Sequence, residues 1–437
     1  MSLAFEPLKL PNGVVLKNRI CKAAMEENLA DINHFLAPSH ELIELYRAWG
    51  KGGSALVLTG HVMIDPRALG SPGALCLCDD LVDADPVYLD RFRQMIDACK
   101  EGGAEIWLQI NHPGRQTPKA LGQVAKGPSA VAVDIGRLSR VMFDTPVEMT
   151  EEDIQDVIRR FARTAALAEE LGAGGIEVHA AHGYLLSAFA SPIANKRTDR
   201  WGGSLENRTR LLFEVVKAIK REVKSSKFGV GVKINSADFQ RGGFEEQDAL
   251  QVIETLNTLG VDFIEVSGGS YESPAMRGIN LSSRSAQRQA YFLDFAEKAA
   301  ALSRVPIMCT GGIVRRETLD QVVASGKTIA GIATAIGIMP DLPNRLERGE
   351  DPAPRLKYTT SWILSGSVLA SATTRQVNYS MERIGRGKEP CPGVWPAWAL
   401  LMDQVAGLGQ ASKYKKVVVK YLDERDGRAV KSGKKEE

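Results

Sequence analysis

The chain has 437 residues, of which 44% are hydrophobic and 25% charged, and its 55 basic and 53 acidic side chains leave a formal net charge of +2. This composition is typical of globular proteins, and the even charge argues against a nucleic-acid-binding protein, which usually carries a strongly basic face. No run approaches the ~20 apolar residues that a membrane-spanning helix needs. We therefore expect neither a nucleic acid nor a membrane as partner.

The N-terminus and the cysteines bear on the compartment. Residues 1–10 lack a basic segment followed by an apolar run, so no secretory signal is expected. The six cysteines are scattered, and only Cys76 and Cys78 lie close together. A lone C-x-C does not supply the four ligands of a zinc or iron–sulfur site. Scattered thiols are typical of reduced proteins, and we expect a cytoplasmic protein without a metal.

Short apolar runs recur along the chain. Each is too short for a helix and suits a strand buried on both faces of a parallel sheet. The predicted strands are Ile20–Ala23, Ala55–Thr59, Ile106–Ile110, Gly175–His179, Val230–Ile234, Phe263–Val266, Ile307–Thr310 and Ile329–Ala333.

Helical patterns fill the intervals between these strands. Pro38-Ser39 precedes the first helical pattern, Ser204 stands where a helix N-cap is expected, and Thr150 with Asp153 forms a variant of the capping box. The predicted helices are Glu41–Gly50, Val87–Lys100, Ile154–Leu171, Leu205–Val223, Glu246–Leu259, Ala290–Ser303 and Arg316–Ala324. Alternation of eight strands with seven helices predicts an α/β fold, the (β/α)8 TIM barrel. The rival, a doubly wound open sheet, would carry a G-x-G-x-x-G loop after an early strand, and none follows the first one.

Residues 355–437 break the alternation. Tyr358–Arg375 and Trp395–Leu408 are predicted helices, and the last 25 residues are rich in Lys and Arg. We predict a barrel over residues 1–354 and, over 355–437, a helical extension that packs on it and ends in a solvated basic tail. An anchor for a membrane surface or nucleic acid is the alternative, supported only by Tyr414 and Tyr421 among the basic residues.

Polar side chains follow the predicted strands, where a barrel keeps its catalytic groups. The densest group is His179-Ala-Ala-His182-Gly-Tyr184. Imidazole N–H groups can stabilise a developing oxyanion, and a phenol can deliver a proton. Two satisfied histidines beside a core tyrosine, or a metal pair that still needs a further ligand, are the other interpretations.

Glycines follow the seventh strand. Gly311-Gly312, with Thr334 after the eighth strand, matches the position at which barrels bind phosphate groups through backbone N–H groups. Gly is common in this chain, so ordinary turn glycines are the alternative interpretation.

Longer motifs resemble the Old Yellow Enzyme family, the FMN-dependent NADH:flavin oxidoreductases and ene-reductases. The resemblance extends over about residues 5 to 350 and is most specific between Glu177 and Arg208. It rests on Leu16-Lys-Asn-Arg19, Gln109 with His112-x-Gly114-Arg115, Glu177-x-His179-x-x-His182-Gly-Tyr184-Leu185, Ser191-Pro192-x-x-Asn195-x-Arg197-x-Asp199-x-x-Gly202-Gly203-Ser204-x-x-Asn207-Arg208, Gly311-Gly312 and Pro340-Asp-Leu-Pro343.

The resemblance implies a role for each matching residue. Ala24, Met25 and Gly60 would line the isoalloxazine, and Gln109 would bind its pyrimidine edge. Lys233 would stand beside flavin N1 and O2, where a cation stabilises the reduced cofactor. The FMN phosphate would lie on the segments Gly311, Gly312, Ala333 and Thr334. His179 and His182 would bind the substrate carbonyl or nitro oxygen, and Tyr184 would protonate the α carbon.

Two positions depart from the family pattern. Ala333-Thr334 stands where the family often has Gly-Arg, so a bidentate phosphate partner is missing. Glu26 stands near flavin O4, where the family more often has Thr or Cys. A carboxylate there would oppose negative charge on the reduced flavin unless it is protonated or turned away.

The expected activity is reduction of activated C=C bonds in a small-molecule substrate, with NADH or NADPH as the transient electron donor of FMN. A flavoenzyme like dienoyl-CoA reductase or trimethylamine dehydrogenase, a barrel metallohydrolase using His179 and His182, and a non-catalytic flavin-binding protein are the alternatives. The sequence leaves open the physiological substrate, the choice of nicotinamide and whether the protein forms a homo-oligomer.

Overall fold

Eight parallel strands close into a barrel in the computed structural model, which describes residues 2–136, 139–272, 283–357 and 366–433. Each strand pairs with the next, and the last pairs with the first through Ala330 opposite Ile20, which confirms the predicted (β/α)8 barrel. The strands are β1 Ile20–Lys22, β2 Leu56–Met63, β3 Glu105–Asn111, β4 Gly175–Ala180, β5 Gly229–Asn235, β6 Phe263–Ser267, β7 Ile307–Thr310 and β8 Thr328–Ile332.

The helices between the strands begin largely where the sequence predicts them. The hydroxyls of Ser39, Thr150 and Ser204 each accept the backbone N–H three residues on, and Thr150 forms the capping box with Asp153. The helix predicted from Ala290 starts earlier, because its polar first turns carry no apolar period. These helices are α1 His40–Lys51, α2 Tyr88–Lys100, α3 Glu151–Glu170, α4 Leu205–Glu222, α5 Glu246–Leu256, α6 Ser283–Leu302 and α7 Arg316–Val323.

Short strands and short helices lie outside the eight-stranded barrel. The antiparallel pairs are Leu8–Lys9 with Val15–Leu16 and Ala30–Asp31 with Ala37–Pro38. Leu75–Cys76 extends the sheet beside β2, and Lys126–Gly127 pairs with Val147–Glu148. Short helices cover Asp79–Val82, Ser139–Met142, Leu185–Ala190, Thr334–Ile338 and Leu342–Glu347.

Two large rings fill the amino-terminal end of the barrel. Trp107 and Phe263 are fully buried, with ring centroids 5.2 Å apart. Glycines on β5 make room for them, since a Cβ on Gly229 would lie 2.0 Å from Trp107 Cζ2 and one on Gly231 would lie 2.5 Å from Phe263 Cζ. This apolar plug leaves the carboxyl-terminal end of the barrel for polar side chains.

Three further helices follow the barrel. They are α8 Gly366–Gly385, α9 Pro396–Tyr414 and α10 Lys420–Gly433, with a π-helical turn at Lys415–Val419 between the last two. Helix α8 packs against α1 and against the short helix Thr334–Ile338. The first residues of the predicted helix Tyr358–Arg375 lie outside the described residues, and α8 continues ten residues beyond Arg375.

The prediction of a solvated tail is wrong for the segment around Tyr414. Tyr414, Val418 and Leu422 are buried at a spacing of four residues, which forms one apolar stripe on the helix. Tyr414 Oη donates to the Pro66 carbonyl (2.7 Å) and accepts from Gln123 Nε2 (2.7 Å). The basic residues between the stripe positions obscured it in the sequence.

None of the helices in the described ranges is both long and apolar enough to cross a bilayer.

Replacement of Tyr414 by Phe tests whether this segment is part of the fold. The Tyr414→Phe change removes two hydrogen bonds, the one donated to the Pro66 carbonyl and the one accepted from Gln123 Nε2, although Gln123 Nε2 still donates to that carbonyl (3.2 Å). We therefore expect the free energy of unfolding in urea to fall by about 1–3 kcal/mol. The control is Tyr421→Phe at a half-buried position, which should lower the free energy of unfolding by less than about 0.5 kcal/mol. Equal effects from the two variants would contradict the packing described for Tyr414.

Candidate active site

Three histidines and a tyrosine meet at the carboxyl-terminal end of the barrel. His61 lies on β2 and His179 on β4, while His182 and Tyr184 follow β4. The ring centroid of His179 lies 5.1 Å from that of His61, 5.0 Å from that of His182 and 4.9 Å from that of Tyr184. His61 also lies 4.8 Å from Tyr184. The predicted trio therefore shares one site, together with a histidine that was not among the predicted site residues.

A turn directly after β4 orients His182. The residue has a left-handed backbone (φ 62°), which is uncommon outside glycine, and Gly183 follows with φ 77°. The His182 N–H donates to Asn235 Oδ1 (3.0 Å), and its ring Nε2 lies 2.7 Å from Ser267 Oγ. The turn reaches β5 and β6 and fixes the imidazole on the rim.

Tyr184 has a hydroxyl partner in the loop after β6. Tyr184 Oη lies 2.9 Å from Tyr271 Oη. The next residue, Glu272, accepts from Arg115 Nη1 (3.3 Å) and from the Asp134 N–H (2.7 Å), which ties the loop to the barrel. Nothing in the sequence indicated Tyr271, because it belongs to a loop without a periodic pattern.

Burial keeps the imidazoles of His61 and His179 neutral. It lowers the pKa of His61, against the opposing effect of Glu26. It holds the pKa of His179 well below its ordinary value, and neighbouring His182 and His61 add to the effect. A neutral imidazole carries one N–H group, so at neutral pH each of these two rings offers one hydrogen-bond donor.

A second polar group lies inside the barrel beside this cluster. Gln109 Nε2 donates to Glu177 Oε2 (2.6 Å), and Lys233 Nζ lies 2.8 Å from Glu265 Oε1. All four side chains are buried. Burial alone would lower the pKa of Lys233, but Glu265 and Glu177 outweigh it and hold that pKa above its ordinary value. Lys233 is therefore a cation.

The loop after β1 is fixed by a buried carboxylate. Glu27 Oε1 accepts from Tyr46 Oη (2.7 Å) and from the Gly60 N–H (3.1 Å), and it lies 3.4 Å from Lys22 Nζ. A Cβ on Gly60 would lie only 2.1 Å from Glu27 Oε2, so this position requires glycine. The loop that contains Ala24 and Met25 is thus held against Gly60 of β2.

Glu26 is held by the C-terminal extension. With its amide oriented so that both polar atoms are satisfied, Asn28 donates to Glu26 Oε1 (3.1 Å) and accepts from Arg375. Arg375 Nε in turn lies 3.1 Å from Asp403 Oδ2 of α9. Helix α8 therefore contacts the loop that contains Glu26, the position at which the family more often has Thr or Cys.

The predicted phosphate segments lie side by side on the rim. Gly311 (φ 126°) and Gly312 (φ 71°) follow β7, and Ala333 and Thr334 follow the neighbouring β8. Gly311, Gly312 and Thr334 are exposed, and a Cβ on Gly311 would meet no atom within 4 Å. Gly311, Gly312 and Thr334 are therefore open to solvent at the rim.

Across the described ranges, no three His, Cys, Asp or Glu side chains are grouped so as to hold a metal ion.

Comparison with known proteins gives the family. The profile of the NADH:flavin oxidoreductase / NADH oxidase family matches residues 3–352. The chain belongs to this family. It is 36% identical over 356 residues to the NADH-dependent flavin oxidoreductase iliE of Hypocrea jecorina (strain QM6a), which covers 77% of this chain and 87% of that protein. It is 34% identical to the NADPH dehydrogenase of Bacillus licheniformis, over 61% of this chain and 73% of that protein.

Solved structures agree on the fold. The old yellow enzyme homologue from Zymomonas mobilis superposes with a TM-score of 0.66 at 21% identity, over 83% of this chain and 98% of that one. A 2-naphthoyl-CoA reductase complex gives a TM-score of 0.70 at 26% identity, over 80% of this chain but 52% of that one. The resemblance to Old Yellow Enzymes is confirmed, and the chain is an FMN-dependent NADH or NADPH oxidoreductase.

His112 provides a pH test of the site's packing. It follows β3, its Nδ1 accepts the Gly114 N–H (3.0 Å), and burial lowers its pKa to about 4. The pKa of His112 in the folded protein lies below the unfolded value of about 6.5. Its contribution to the stability of the fold is therefore complete above about pH 6.5 and is lost as the pH falls toward 4. Between pH 7 and pH 5 the loss is about 2 kcal/mol.

The His112→Asn variant keeps an acceptor for Gly114 but cannot take up a proton. Urea unfolding at pH 7 and pH 5 should therefore show a pH-dependent loss of stability smaller by about 2 kcal/mol than in the unmodified protein. The same replacement at the exposed His40 serves as control and should leave that difference unchanged. An undiminished pH effect in His112→Asn would show that the ring is accessible to water.

Proposed function

We propose that the protein reduces the C=C bond of a small alkene activated by a carbonyl or nitro group, at the expense of NADH or NADPH. The observation that carries this proposal is the meeting of His179, His182 and Tyr184 at one end of the barrel, beside the buried pair Gln109 and Lys233. The histidines and the tyrosine suit an electron-poor substrate, and Gln109 with Lys233 suits the edge of a flavin.

The residues present fit FMN. The open backbone at Gly311, Gly312 and Thr334 suits a phosphate, and the Lys233 cation with the Gln109 amide suits the carbonyl and nitrogen atoms of the pyrimidine edge. Ala24, Met25 and Gly60 would line the ring system. Bound FMN would supply the redox chemistry, which is hydride transfer from the nicotinamide to the β carbon of the alkene.

The histidines would bind the activating group of the substrate. His179 is neutral, and the turn to β5 and β6 holds His182, so each ring can direct an N–H toward one substrate oxygen. Negative charge grows on that oxygen as the β carbon receives a hydride. Hydrogen bonds that strengthen at that moment lower the barrier to the reaction.

Tyr184 would supply the proton to the α carbon. Its hydroxyl lies in the histidine cluster and contacts the hydroxyl of Tyr271, which can pass a proton to it from the loop after β6. The overall reaction converts one alkene, one NADH or NADPH and one proton to the saturated product and the oxidised nicotinamide.

The extent of the family match supports a division of labour along the chain. We propose that residues 1–354 form the catalytic unit and residues 355–437 the helical extension, since the family profile ends at residue 352. Relatives with a CoA ester substrate or histamine as substrate are about twice as long as the matched region, since the chain spans 52% and 51% of them. Those chemistries remain the alternative activity.

Anaerobic stopped-flow measurements on the purified yellow protein test the proposal. Reduction by NADH or NADPH should bleach the flavin absorbance, and an enone or nitroalkene should restore it. In Tyr184→Phe the restoration by an enone should slow by roughly 10²–10⁴-fold, the usual effect of removing a general acid. Bleaching by the nicotinamide should stay unchanged, because that step needs no proton from the phenol.

The matched control is Tyr271→Phe, which keeps the Tyr184 hydroxyl and should slow the second step less. Bleaching without any restoration by enones, nitroalkenes or enoates would contradict the proposed substrate class. Equal losses in both half-reactions of Tyr184→Phe would contradict the proposed role of the phenol.

A further inference from the structure

Two buried glutamates face each other inside the barrel. Glu177 on β4 and Glu265 on β6 are both fully buried, and their carboxyl groups lie within hydrogen-bonding reach of each other. Each is also joined to a neighbour on the adjacent strand, Glu177 to Gln109 and Glu265 to Lys233. The four side chains form one chain of contacts across β3 to β6.

Two ionised carboxylates would not satisfy this arrangement. Glu177 Oε1 and both oxygens of Glu265 accept no hydrogen bond within the described part of the chain, although Glu265 makes its ion contact with Lys233. Carboxylates are acceptors only, so neither can satisfy the other. One proton between them supplies the missing donor.

The charges lead to the same conclusion. Lys233 is in ion contact with Glu265 and interacts electrostatically with both carboxyl groups, and the thiols of Cys21 on β1 and Cys309 on β7 also interact with them from neighbouring strands. Burial raises the pKa of both thiols, so they stay neutral. An uncompensated charge in a dry interior is costly, and two close carboxylates there cannot both ionise.

We propose that Glu177 and Glu265 share one proton at neutral pH and act as positioning residues for Gln109 and Lys233. Glu177 Oε2 accepts a hydrogen bond from Gln109 Nε2. This contact turns the amide oxygen of Gln109 outward, away from Glu177. The carboxylate charge on Glu265 keeps Lys233 protonated. This inference rests on the proposed placement of the flavin against Gln109 and Lys233.

Infrared difference spectroscopy detects the shared proton directly and does not require the cofactor. The unmodified protein at pH 7 should show the C=O stretch of a protonated carboxylic acid, and this band should be absent from Glu265→Gln and from Glu177→Gln. Asp238→Asn is the matched control, because Asp238 is also buried but accepts from Ser191 and the Phe244 N–H. That variant should keep the band. Survival of the band in both glutamine variants would overturn the shared proton.

FMN binding to the apoprotein tests the positioning role. Glu177→Gln keeps an acceptor for Gln109 and should bind FMN like the unmodified protein. Glu177→Met removes the acceptor and should weaken binding by roughly tenfold, the effect expected for the loss of one hydrogen bond. Equal affinity of these two variants would overturn the positioning role. Failure of the unmodified apoprotein to bind FMN would instead count against the proposed placement of the cofactor.

Discussion

Polar side chains inside a barrel must satisfy one another, because water does not reach them. Four adjacent strands, β3 to β6, each place such a group at this depth: Gln109, Glu177, Lys233 and Glu265. The plug of Trp107 and Phe263 closes the opposite end, so the polar chain of contacts lies between an apolar floor and the open rim. Its geometry determines which way the Gln109 amide and the Lys233 cation face.

The histidine cluster depends on the same end of the barrel. His179 shares its strand with Glu177, and its ring lies among three other rings that keep water away from it. Burial therefore makes the imidazole neutral, and a neutral ring is a directed donor for a substrate oxygen. The electrostatics of the site follow from packing before any ligand is considered.

Much of this architecture could be predicted from the sequence. Buried parallel strands read as continuous apolar runs, and the capping residues at Ser39, Thr150 and Ser204 marked helix starts. The site trio lies within one short motif at the end of β4, so its members are necessarily neighbours. Residues brought in by other strands and loops carried no such local signal. Tyr271 belongs to a loop that is tied to the barrel by the contact between Arg115 and Glu272, which are far apart in the chain.

Other parts of the site carry a signal in the sequence. His61 directly follows Gly60 at the end of a predicted strand, which was a usable signal. Glu265 lay within a predicted strand, where a charge in an apolar run indicated a buried polar group. The contact of Arg375 with the loop around Glu26 could not be predicted, because it depends on how the helical extension docks on the barrel.

A crystal structure of the FMN-loaded protein would show directly where the cofactor lies relative to these side chains. We expect the isoalloxazine to contact Gln109 and Lys233 with its pyrimidine edge and to present one face to His179, His182 and Tyr184. Flavin bound at any other place, or with the three side chains out of reach of its open face, would contradict this expectation.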